Sequence, residues 1–186
     1  MRKNVFILAM CQGLAMSGTS MLIAVSALAG QMLSPDKAWV TLPLAAQFLM
    51  TMFTTIPASL FMAKVGRRVG FTLGQATGVI GGAVSAYAIY NGDFWLFVVG
   101  GGILGIHNAF WQYYRFAAAD VADEDYRPKA ISYVMAGGLA AAFLGPQLAK
   151  WTVDLSAATF AGSYATIIVL SFITVILLQF IRIPMP

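Results

Sequence analysis

Nine consecutive residues, His107-Asn108-Ala109-Phe110-Trp111-Gln112-Tyr113-Tyr114-Arg115, crowd donors, acceptors, aromatic rings and a cation into a short stretch. At helical spacing Asn108, Gln112 and Arg115 share one face, while His107, Trp111 and Tyr114 share the neighbouring one. His107 is the sole histidine. Such a group either titrates near neutral pH or binds a metal, or is satisfied by a hydrogen bond to an adjacent helix. Arg115 offers an anchor for an anion, or snorkels to an interface. A second set, Gln12, Met16, Thr19, Ile23 and Ser26, also follows helical spacing, and Gln47, Thr51 and Thr54 form a third. Met10, Met16, Met21, Met50, Met52 and Met135 raise copper as a minor alternative, because a thioether is a soft ligand suited to Cu(I). Methionine also fills gaps in helix packing. Cys11 has no partner, so neither a disulfide nor a cysteine metal site is expected. No cofactor is expected and no metal ligand set is assigned.

The setting gives these polar groups their weight. The 186 residues are 60% hydrophobic and 10% charged, with a mean hydropathy of +0.80, outside the range of soluble domains. A charge at mid-bilayer costs about 3 kcal/mol or more unless paired or snorkelled. The charges cluster accordingly, leaving charge-free runs at Asn4–Pro35, Ala38–Ala63, Val69–Gly92, Phe94–Tyr114, Ala130–Ala149 and Leu155–Ile181. Each matches or exceeds the roughly 20 helical residues that cross a hydrocarbon core. The pattern predicts an all-α membrane protein of six transmembrane helices, at about 4–33, 38–63, 70–91, 94–118, 130–149 and 158–182, in a single domain over 1–186. The first run is about twice a signal-peptide core and is read as a span.

Arg2, Lys3, Lys64, Arg67, Arg68, Arg115, Arg127, Lys129 and Arg182 fall on one side, and only Lys37 and Lys150 on the other. The positive-inside rule then puts both termini in the cytoplasm. This bias explains the pI of about 9.4. No basic stripe with interleaved aromatics suggests nucleic acid. The connections are short, and Asp120 to Lys129 is the longest, lying along the cytoplasmic surface. Gly70, Gly74, Gly78 and Gly82 make a ridge on the third span that lets another backbone approach.

The second connection, Ser59-Leu60-Phe61-Met62-Ala63-Lys64-Val65-Gly66-Arg67-Arg68, resembles the signature loop of the major facilitator superfamily, G-x-L-A-D-R-x-G-R-R. Lys64, Gly66, Arg67 and Arg68 match its tail, whereas Ser59 replaces the first glycine and Ala63 the acid. Ala119-Asp120 with Arg127 and Ala130 is similar to the pattern that leads that family into its fifth helix. Ala141-x-x-x-Gly145-Pro146-x-x-Ala149 is similar to its helix 5 motif, but Gly101 stands where its helix 4 arginine would align.

The resemblance implies the N-terminal six-helix half (a 3+3 repeat) of a twelve-helix secondary transporter, with solute held between two halves at mid-membrane. A second half would come from a longer chain, another chain or a second copy. Helices 1 and 4 line the family's cavity, which makes Gln12, Thr19, His107, Asn108, Gln112 and Arg115 the cavity candidates. The spans hold no Asp or Glu, so a coupling proton would use His107 or the other half. The expected function is transport of a small molecule or ion by alternating access, in a bacterial cytoplasmic (inner) membrane. The alternative is a non-transporting assembly factor or scaffold; a copper importer is the minor one. An intramembrane enzyme is not expected, because a serine protease needs a serine in a glycine turn with a histidine base, and Met16 precedes Ser17-Gly18.

Overall fold

Residues 2–181 and 183 are described by a computed structural model; Arg182, the expected end of the sixth span, lies outside them. The described residues form α1 (Arg2–Leu33), α2 (Leu42–Val65), α3 (Arg67–Asn91), α4 (Phe94–Trp111), α5 (Tyr114–Asp120), α6 (Arg127–Thr152) and α7 (Ala161–Gln179). Taking α4 and α5 as one crossing, these are the six expected spans. Five of the crossings are long and apolar enough to traverse a bilayer. The remaining one, α3, has the length, but its glycines, Gln75 and Ser85 dilute its apolar content.

The connections explain where the boundaries moved. Asp36 accepts from the Ala38 amide at 3.0 Å and caps a 3-10 turn at Lys37–Trp39, so α2 starts at Leu42, with Pro43 in its first turn, rather than at 38. Gly66 is the whole link between α2 and α3. Its φ of 88° is open to glycine and costly for other residues, so α3 begins at Arg67 instead of 70. Gly92, at φ 69°, closes α3, the Asp93 amide reaches back to Ala88 O at 2.9 Å, and the Asp93 side chain caps α4 through Leu96 N at 3.0 Å. Arg127-Pro128 opens α6 three residues before 130. Phe160, at φ 73°, delays α7 to Ala161.

The fourth span is not the continuous helix over 94–118 that its pattern predicts. Its ladder breaks at Gln112-Tyr113, where the Tyr113 amide bonds Phe110 O at 3.1 Å and the Phe116 amide bonds Tyr113 O at 3.0 Å. The adjacent tyrosines are held by different helices. Tyr113 donates to Thr55 O on α2 at 2.9 Å, while buried Tyr114 accepts from Gln75 Nε2 on α3 at 2.8 Å and stands edge-on to Phe71.

In the packing, α1 runs against α6 and α7, α4 against α2 and α3, and α3 against α7. Exchanging the first three spans with the last three turns the α1–α6 contact into α4–α2 and α1–α7 into α4–α3, and leaves α3–α7 in place, which is the signature of a 3+3 repeat. The glycine ridge of α3 faces inward: a Cβ on Gly78 would lie 2.7 Å from both His107 Nδ1 and Ser171 Oγ. One apolar cluster, with Leu8, Phe71, Tyr114 and Leu178, fills the end near Arg2, and a second, with Leu22, Phe97, Leu104 and Tyr164, fills the other. Gln75, His107 and Ser171 are buried where the two clusters meet, in one wall with Ala15 of the first and Leu22 of the second. α2 and α6 are the least enclosed spans, exposing Phe53, Ile56, Leu139 and Phe143 among others. Such faces need lipid or further helices over them.

Candidate functional site

The polar middle of the bundle is organised by Asn108. Its Oδ1 accepts from Trp111 Nε1 at 3.0 Å and from Thr19 Oγ1 of α1 at 3.2 Å. The Thr19 hydroxyl has a second acceptor, Ala15 O, also at 3.2 Å. Asn108 thereby joins α1 to α4 and sets the plane of the Trp111 indole.

Two cavities flank this link. The larger, of about 210 Å³, is partly open and is lined by Gln12, Met16, Trp111, Gln112, Arg115 and Met135. Gln12 is 4% exposed, and its Oε1 is buried without a hydrogen-bond partner among the described residues. Gln112 is half-buried beside the helix break, which turns it and Arg115 toward this wall. The exposed Arg115 guanidinium lies 4.9 Å from the Phe116 ring centre and pairs with no carboxylate among the described residues. The smaller cavity, of about 10 Å³, has Thr19, Gln75, His107, Ser171 and Thr174 in its wall. It is about large enough for one water.

The cavity candidates are therefore divided. Gln12, Gln112 and Arg115 meet at the larger space, Thr19 and His107 border the smaller one, and Asn108 connects the two. His107 points into the bundle, with Nδ1 2.9 Å from Gly74 O, so it and Gln112 do not share one chamber. Gln47 and Thr51 lie between α2 and α4, where Thr51 Oγ1 has acceptors at Gln47 O (2.8 Å) and Gly105 O (3.0 Å). Thr54 is half-buried on α2. Gln75, Ser171 and Thr174, polar residues inside spans that are not among the cavity candidates, also line the smaller space. Met135 gave no signal as a wall residue beyond its thioether. Met16 and Met135 share their cavity with the Arg115 cation, a poor neighbour for a Cu(I) ion.

Beyond the cavity, the basic loop makes contacts at the end near Arg2. Arg67 pairs with Asp120 at the end of α5, both partly exposed, and Arg68 Nη2 donates to Gln179 Oε1 at 2.6 Å. The signature loop and the helix 4–5 motif are thus joined even though Ala63 supplies no acid. Lys64 is exposed. Arg127 is 3.9 Å from Glu124 in an open pair of the kind that adds little stability. Gly145 lets α6 approach α1 closely: a Cβ there would lie 3.0 Å from Ser17 O and 3.1 Å from Met21 N. Pro146 follows it inside α6.

Residues 5–186 match the family model described as Major Facilitator Superfamily. The chain is 40% identical over 184 residues to the riboflavin transporter RfnT of Brucella anthropi, covering 98% of this chain and 46% of that protein. It spans about half the length of that curated relative. Among solved structures it resembles an auto-inhibited POT family peptide transporter, with a TM-score of 0.70 at 16% identity, over 100% of this chain and 39% of that one. The last likeness is one of fold.

Proposed function

This chain belongs to the Major Facilitator Superfamily, and from that premise we propose that it supplies one six-helix half of a transporter that carries a small solute by alternating access. The observation that supports this reading best is the partly open cavity where α1, α4, α5 and the break between the last two present Gln12, Trp111, Arg115 and Gln112 together, with Met135 of α6 opposite. Unpaired polar groups inside a bilayer are expensive, and a solute path is where they have a use. At about 210 Å³ the cavity is smaller than the roughly 300–1,000 Å³ of a typical ligand pocket. A second six-helix half facing it would supply the missing wall, and would also cover the open faces of α2 and α6.

In this reading the chain is a single unit over 1–186, with both ends on the cytoplasmic side of a bacterial inner membrane and Lys64, Arg67, Arg68, Asp120 and Arg127 at the cytoplasmic face. Gln12, Gln112 and Arg115 touch the solute. Thr19 and Asn108 fix the relation of α1 to α4. His107 acts from the bundle interior, where a water in the small cavity would link it to Thr19, Gln75 and Ser171. The relationship to the riboflavin transporter RfnT makes riboflavin the first solute to test. The experiment is growth of riboflavin-auxotrophic bacteria on limiting riboflavin, with or without the full gene product that carries this chain. Growth at concentrations that fail the control supports the reading. Equal growth of both strains, with the protein present in the membrane, removes riboflavin as the solute and favours the scaffold alternative.

A further inference from the structure

We infer that Gln12 selects the solute by pairing its carboxamide with adjacent N–H and C=O groups on the edge of a flat heteroaromatic ring. The inference rests on the larger cavity being the solute site. Gln12 makes no side-chain hydrogen bond to any described residue, although it is 4% exposed and its Oε1 is wholly enclosed. An amide buried in that condition is costly until something pairs with it. Of the groups beside it, the indole N–H of Trp111 is used on Asn108 Oδ1, which also accepts from Thr19, while Gln112 and Arg115 share the cavity wall with Gln12. What Trp111 has left is its ring, and Met16 and Met135 add apolar surface to the same wall.

These facts narrow the ligand. An ionised carboxylate carries only acceptors, so it would leave Gln12 Oε1 unpaired. An ammonium carries only donors and would share the cavity with the Arg115 charge. A carboxamide holds a donor and an acceptor side by side, and its two-bond complement is a lactam or imide edge. This complement holds whichever way the amide is turned. A planar ring bearing such an edge would lie against the Trp111 face, while Gln112 and Arg115 donate to carbonyl or hydroxyl oxygens at its other end. The isoalloxazine ring of riboflavin carries an imide edge of this kind.

The test is equilibrium dialysis of the purified full gene product with riboflavin and with riboflavin methylated on its imide nitrogen, alongside uptake of both by vesicles. The natural protein should bind riboflavin at least about tenfold more tightly than the methylated form. Gln12→Leu should bind the two equally and weakly. Gln12→Glu, which keeps an acceptor, should retain part of the preference, and it replaces the leucine variant if that one does not fold. Equal binding of both ligands by the natural protein, binding of neither, or an undiminished preference in Gln12→Leu overturns the inference. Selective binding without uptake sinks the transport reading and leaves the assignment of Gln12 standing. Uptake of both ligands at equal rates does the reverse.

Discussion

Replacing Gly78 by alanine should destabilise the bundle by roughly 1–5 kcal/mol, although alanine is the better helix former. A Cβ at this position would lie 2.7 Å from His107 Nδ1, 2.7 Å from Ser171 Oγ and 3.0 Å from His107 Cε1, all closer than van der Waals contact. His107 cannot retreat freely, because its Nδ1 is 2.9 Å from Gly74 O on the same helix as the new methyl group. Overpacking an interior of this kind costs roughly 1–3 kcal/mol. Losing the ring's only described partner adds about 1–3 kcal/mol, and the gain in helix propensity returns about 1 kcal/mol. The assay is thermal unfolding in detergent, followed by loss of the folded peak in size-exclusion chromatography. Ser171→Ala in the same background removes one obstructing atom and should recover part of the loss. A Gly78→Ala protein that melts at or above the parent temperature, with the double variant no better, would refute the packing of α3 against α4 and α7.

Asn108→Leu should cost about 1–3 kcal/mol, because it strands the buried Trp111 Nε1 donor; unchanged melting would show that the indole finds another acceptor. Arg67→Ala and Asp120→Ala, compared in a double-mutant cycle, should show coupling of no more than about 1 kcal/mol, since the pair is partly exposed; a clearly larger value would mark the pair as a buried latch. Cysteines placed at Asp36, Asp93 and Asp154 should react with an impermeant reagent from outside the cell, while Cys11 stays silent because it is buried. Labelling of those three positions from the cytoplasm alone would invert the topology.

The spans were legible because charge is excluded from lipid so strictly that the gaps between charged residues trace the helices. Hairpins with a chemical marker were legible too: Asn91-Gly92-Asp93 became a glycine stop followed by an aspartate cap. The break at Gln112-Tyr113 was not, because neither glycine nor proline marks it and its cause is tertiary, in the bonds of Tyr113 and Tyr114 to two different helices. That break also limits what periodicity can say of the site. Polar residues inside spans pointed to Gln12, Gln112 and Arg115 as candidates, which the fold brings to one cavity, but the rotation of α4 that carries His107 toward Gly74 depends on the fit of Gly78 and Ser171, which no single-helix pattern contains. Met135 reaches the cavity from α6 and carries no polar signal at all.

The central claim is that a solute crosses the membrane by way of the larger cavity, and initial rates of riboflavin uptake into vesicles containing the full gene product test it most directly. The account expects saturable uptake by the natural protein and a loss of at least about tenfold in Gln112→Ala and Arg115→Leu, the scale of one or two lost hydrogen bonds, with the amount of folded protein unchanged. Uptake no faster than that of empty vesicles, or full rates in both variants, would contradict it.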